Sequence, residues 1–241
     1  QITSAVVLCT SVVSGTALLV AEMGRPSRFL NMLRVFRPTS VINVGSWLLS
    51  VAGAANVAAS LNRLDTAIEF QQYENVHDPL DTSGRANLGL FYLGAGRLDD
   101  AIASYRTALR LAPNYSSAYH QIGVALLMKG EAAAALTETQ KEPEEIWRLL
   151  GLTMVYHTLG RKADSDAALV ELTKKYSVGG AYNIAYVLAW RNERDRAFEW
   201  LDKAVTQQDP GLSEIASQPL FANLHADPRW LPFLRKIGKA P

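Results

Sequence analysis

His77, His120, His157 and His225 are the side chains of this chain best suited to hold a metal or move a proton, and their spacing argues against both roles. They are widely separated, with no His-x-x-His pair, and Glu74-x-x-His77 alone falls short of a ligand set, so no metal site is expected. Cys9 is the single cysteine, which excludes an internal disulfide and a cysteine-based metal site. Glu142, Glu144 and Glu145 around Pro143 resemble paired carboxylates, but acids at a helix start are accounted for by the helix macrodipole. No Gly-x-Ser-x-Gly motif, phosphate loop or dinucleotide fingerprint occurs. No catalytic residue and no cofactor is expected, and the chain reads as a non-enzyme.

The elements that must position any site fall into two regions with different physics. Of 241 residues, 49% are hydrophobic and 20% charged, the balance of an ordered protein. The net charge of +1 is a split, with +3 over residues 1–62 and −2 over the remainder. Neither part has the dense basic face of a nucleic-acid binder. The sequence begins at Gln1 and reads as a processed product or a piece of something longer.

Residues 2–21 contain no charge and, at ~1.5 Å per residue, are long enough to cross a bilayer core of ~30 Å as a helix, so a transmembrane helix is expected and a buried core helix is the alternative. A second uncharged run covers residues 38–62. Between them Phe29, Met32, Leu33 and Phe36 recur at helical spacing opposite Arg28, Arg34 and Arg37, the pattern of an interfacial helix. Arginines there favour the cytoplasmic side. Glu22, Gly24, Arg25 and Pro26, followed by Arg34 and Pro38 and then Gly45-Ser46-Trp47, resemble the acidic-x-Gly-Arg-Pro loop and following helix of the NrfD/polysulfide-reductase membrane subunits. The resemblance covers about residues 5–50 and implies quinone-linked electron transfer. The chain continues Ser40-Val41-Ile42 where that family has Ser-Pro-Met, and the family's further membrane helices do not follow.

Downstream the sequence is periodic. Gly89 and Gly123, Gly96 and Gly130, Pro79 and Pro113 each recur 34 residues apart, as do Ala67, Ala101 and Ala135. That is the tetratricopeptide (TPR) period. Residues 82–115 place Leu88, Gly89, Tyr92, Gly96, Ala101, Tyr105, Ala108 and Pro113 on the TPR consensus. Gly89 and Ala101 suit the close approach of two helices, Gly96 a left-handed helix end, and Pro113 a stop. Residues 50–241 thus resemble the TPR arrays found behind winged-helix activators and adenylate cyclases in bacteria. The implied fold is all-α: a right-handed solenoid of helical hairpins behind an apolar, membrane-type N-terminal segment, residues 1–49. The units are placed at about 48–81, 82–115, 116–143, 144–177 and 178–210. A cap over 211–241 closes the last face with Leu220, Phe221, Trp230, Leu231 and Phe233, and Asp209-Pro210 and Asp227-Pro228 act as helix starts.

In TPR arrays the first helix of each hairpin lines a concave surface. The inward positions here are His120, Val124, Met128, Met154, His157, Tyr182, Tyr186 and Trp190, an apolar and aromatic lining suited to a helix or extended peptide, with inter-repeat core as the other reading of each. The family's carboxylate clamp needs Lys and Asn where this chain has Ala86 and Leu90, so that clamp is not implied. The expected function is a protein-interaction scaffold that holds a partner's peptide or helix and is tethered through residues 2–21 to a bacterial inner membrane, with the array cytoplasmic. The alternative is a fragment of an NrfD-type subunit with the array as docking arm, and a join near residue 50 without functional meaning is a third reading. No nucleic-acid partner is expected.

Overall fold

The computed structural model describes residues 41–60 and 63–239. The expected crossing at 2–21 and the NrfD-like loop of Glu22, Gly24, Arg25, Pro26, Arg34 and Pro38 lie outside those residues. Among the described residues there is no strand, and no helix is long and apolar enough to cross a membrane. Eleven α-helices are described: α1 Val41–Ser60, α2 Leu64–His77, α3 Thr82–Gly94, α4 Leu98–Leu111, α5 Ala118–Met128, α6 Ala132–Thr139, α7 Glu145–Thr158, α8 Lys162–Tyr176, α9 Ala181–Trp190, α10 Arg194–Thr206 and α11 Trp230–Lys236. Two 3-10 turns, η1 Pro210–Glu214 and η2 Pro219–Leu224, lie between α10 and α11.

Consecutive helices pair as hairpins, α1 with α2 through α9 with α10, and α3, α5, α7 and α9 stack side by side as an inner row. The hairpin turns are chemically alike. Gly96, Gly130 and Gly160 have φ of 72°, 81° and 73°, and Asn192 takes the same left-handed place at 59°. At each turn the following residue's N–H reaches back to close a Schellman motif: Arg97 to the Tyr92 carbonyl at 2.8 Å, Glu131 to Leu126 at 2.8 Å, Arg161 to Tyr156 at 2.9 Å and Glu193 to Leu188 at 2.9 Å. Arg97 and Arg161 then lie 4.4 Å over the Tyr92 and Tyr156 rings and pair with Asp100 and Asp164 one turn on.

Small residues set how closely the helices approach. A Cβ on Gly89 would stand 2.9 Å from the Tyr105 ring, and one on Gly123 or Gly151 would collide with Thr139. Thr139 thus joins its own hairpin to the next, wholly buried. Ala55, Ala58, Ala67, Ala101, Ala108, Ala135 and Ala197 are buried at comparable contacts. The short helix α6 ends where Glu142 turns inward: its carboxylate accepts N–H bonds from Ser117 at 3.3 Å and His120 at 3.2 Å and so caps α5 from the far end of the same hairpin. Asp209 does the same for α9, accepting from Tyr182 N at 3.0 Å, while its other oxygen takes Gly211 N at 3.0 Å and starts η1. Asp227 instead accepts from the Arg229 backbone and guanidinium.

The cap departs from the simple end-plug expected. Leu220, Phe221, Trp230 and Phe233 are buried, but Leu231 is exposed because it faces away from α10 on the outer side of α11. Residues 210–224 do not stay at the end of the array: η2 packs along α9, and η1 reaches α1. Two substitutions separate packing from backbone conformation. Gly89→Ala is expected to lower unfolding free energy by about 1–3 kcal/mol through overpacking against Tyr105, whereas Gly96→Asn, with nothing within 4 Å of a new Cβ, should cost well under ~1 kcal/mol because Asn tolerates the left-handed region. Urea denaturation of both checks this.

Candidate binding surface

The structure does not leave the eight expected groove residues as an open lining. His120, Val124, Met154, Tyr182 and Tyr186 are buried, Met128 and Trp190 are half-buried, and His157 is exposed. The physical reason is the tight stacking of the inner row, which turns inward-facing side chains into contacts between hairpins. His120 of α5 meets Tyr186 of α9 at 3.4 Å, Nε2 to Oη, and lies 5.6 Å from the Trp147 ring. Tyr182 and Tyr186 meet Phe221 of η2 edge-on, at 5.5 and 6.4 Å. Trp190 donates its ring N–H to Thr158 Oγ1 at 3.0 Å. The chain's own returning segment therefore covers the surface assigned to a ligand at α9.

Burial lowers the His120 pKa to about 4, a shift that the nearby Trp147 backbone partly offsets, and Nδ1 has no hydrogen-bond partner. Burial likewise raises the pKa of Tyr105, Tyr182 and Tyr186, so all three are neutral phenols near neutral pH. His77 lies exposed with Nδ1 2.7 Å from the Tyr73 carbonyl, and His225 sits 5.1 Å from the Trp230 ring. No group of His, Cys, Asp and Glu among the described residues could hold a metal.

Two openings compete as binding surfaces. The first holds His157 with Lys162, Asp166, Arg191, Glu193 and Arg196. Its charges are already matched. Arg191 is buried and bonds Asp166, Glu193 and Ser165 Oγ, Lys162 bonds Asp166, and Arg196 bonds Glu193. The guanidinium beside it, with Lys162, holds Asp166 down to about pKa 2. A charged ligand would have to break those pairs, which makes this opening a structural clasp between α8 and the α9–α10 turn.

The second opening lies where residues 210–224 return to α1 and α3. Leu64, Leu90 and Phe91 form its apolar wall, with Asn56 and Ala59 at one end. Glu214, Ser217, Gln218 and Pro219 form the other side, Asn87 stands on the same face of α3 as Leu90 and Phe91, and Gly94 permits close approach of the Ser217 carbonyl, 3.1 Å from where a Cβ would stand. Glu214 carries the charge here. The residue is exposed as a whole, yet the protein around its carboxylate raises its pKa by burial, an effect that Lys239 opposes. Sequence reasoning missed this surface. Leu90 was visible as an inward position, but nothing in residues 209–224 signals that the cap turns back to the first hairpin.

The arrangement is that of a recognised repeat. Residues 87–130 match the TPR repeat family. The structure is similar to that of a tetratricopeptide repeat protein from Parabacteroides merdae ATCC 43184, 13% identical with a TM-score of 0.57, covering 98% of this chain and 92% of that one. It is also similar to TTC0263, a thermophilic TPR protein of Thermus thermophilus, 18% identical with a TM-score of 0.54, covering 70% of this chain and 98% of that one. At these identities the likeness is one of fold. A comparison with curated proteins gives no match.

The buried imidazole has a pH signature. A His with a folded pKa of about 4 against 6.5 unfolded binds fewer protons when folded, so its contribution is complete above pH 6.5 and is lost as pH falls towards 4. Between pH 7 and 5 the wild type should lose about 2 kcal/mol more stability than His120→Leu. Urea titrations of both at the two pH values test this, and equal losses would assign the pH response to other groups.

Proposed function

We propose that the chain is a non-catalytic protein-interaction scaffold, and that its working surface is the crevice between α1, α3 and the returning segment, where an extended stretch of a partner protein lies. TPR arrays generally mediate protein–protein interaction, and the match at 87–130 covers the α3–α5 region next to the crevice. One observation carries the choice of surface. The inner row is covered by the chain's own η2 at α9, whereas between α3 and the returning segment a crevice with apolar and polar lining remains. An apolar wall with a few polar groups opposite is what an extended peptide needs, with affinity from the wall and specificity from the polar side.

A random linear-peptide library panned on the full chain should yield ligands of micromolar affinity that compete for one site. Asn87→Trp, which fills the crevice from the half-exposed face of α3, should weaken them at least tenfold at unchanged melting temperature. Ligands that bind Asn87→Trp and wild type alike would move the surface elsewhere.

Tethering through residues 2–21, with the array on the cytoplasmic side of a bacterial inner membrane, is a separate part of the proposal and rests on the apolar run and the arginines after it. Ala103→Cys in a Cys9→Ser background, exposed on α4, should resist a membrane-impermeant maleimide on intact cells and react after permeabilisation. Labelling without permeabilisation would put the array outside.

A further inference from the structure

We propose that Glu214 makes the α1–α3 crevice a subsite for a positively charged side chain, so that the partner segment carries a lysine or arginine where it enters. This rests on the reading that the crevice takes a partner segment, and adds the chemistry of the residue bound there.

The first support is the state of the carboxylate. Among the described residues no hydrogen bond or ion pair reaches the Glu214 carboxylate, whereas acids that bridge other elements are matched. Asp99 pairs with Lys129, Glu145 with Lys175, Asp195 with Arg229 and Asp202 with Lys236. An unmatched carboxylate in a crevice has lost part of its hydration without gaining a partner, and an arriving cation supplies one.

The second support is what surrounds it. Among the described residues Glu214 is the one charged side chain lining the crevice. The Ser217 hydroxyl spends its donor on the Glu214 backbone carbonyl at 3.1 Å, which leaves it acceptor capacity. Tyr105, Tyr182 and Tyr186, electrostatically coupled to Glu214, are neutral phenols that add no competing charge. Across from these groups Leu64, Leu90 and Phe91 offer an apolar wall. A lysine or arginine has this division built in, with an apolar stem and a charged head that prefer different surroundings. A glutamate ligand would meet repulsion at Glu214, and an uncharged side chain would leave the carboxylate unmatched.

Lys239 is the cation whose field reaches Glu214, and burial lowers its own pKa. Its positive charge weakens the attraction of the crevice for an incoming cation, so removing it should strengthen that attraction.

The probes are fluorescein-labelled heptapeptide pools, random except for a fixed central lysine, arginine, norleucine or glutamate, titrated by anisotropy against the full chain. The lysine and arginine pools should bind at least tenfold tighter than the norleucine and glutamate pools. Glu214→Gln should erase that preference without weakening norleucine binding or lowering the melting temperature, Glu214→Asp should retain part of it, and Lys239→Met should increase it. Equal binding of all pools to wild type, with binding still lost in Asn87→Trp, overturns the charge proposal and leaves the scaffold reading standing. A preference for glutamate overturns the proposal as well. Absence of binding by every pool overturns both. A cation preference that survives in Glu214→Gln assigns it to another residue and overturns the role given to Glu214.

Discussion

Helix separation at the Gly123–Thr139–Gly151 contact governs much of the rest of the molecule. Thr139 fills the space that side chains on two glycines would occupy, one in its own hairpin and one in the next, so the step between hairpins is fixed by residues that carry almost no side chain. That step brings His120 within reach of Gly151 and Tyr186 and shuts it away from water. The same closeness that orders the inner row removes most of it as a ligand surface. Dense stacking of this kind leaves little slack, since interiors at crystal-like density pass a displacement on to their neighbours.

Much of the hairpin architecture was legible because it depends on backbone geometry that few residues can supply. Gly96 and Gly130 stand at left-handed helix ends, and Gly89 faces Tyr105 where two helices touch. Such positions leave a mark because a wrong residue there costs energy irrespective of its surroundings. Asn192 occupies the equivalent place at the α9–α10 turn and carried no signal, since asparagine is common in many settings and only its φ shows the role. Ala67, Ala101 and Ala135 marked helix contacts in the same way as the glycines, by being small, and all three are fully buried.

The binding surface was less legible, for a different reason. A helical period shows which face of a helix turns inward and is silent about what lies opposite. Tyr182 and Tyr186 face inward as expected, and they meet Phe221 from a segment more than one hairpin away in sequence. Glu214 reads in sequence as an ordinary surface acid inside a polar stretch. It gains its significance from the path of residues 210–224, which is set by Asp209 at one end and by aromatic packing at the other. A resemblance to repeat arrays describes a repeating neighbour contact, and the return of the chain to its first hairpin is not part of any repeat.

That return changes the mechanical character of the array. A string of hairpins in which each touches only its neighbours behaves as an open spring: it can bend, twist and unravel from either end, with stability close to a sum over units. Here the last segment touches α1, so the two ends of the string are strapped together, and bending the array must also slide the strap over α3. Asp209 holds the strap at its root with one carboxylate oxygen on α9 and the other on η1. A force applied at the first hairpin thus has a second route to the last, through η1, besides the one that runs through the hairpins between.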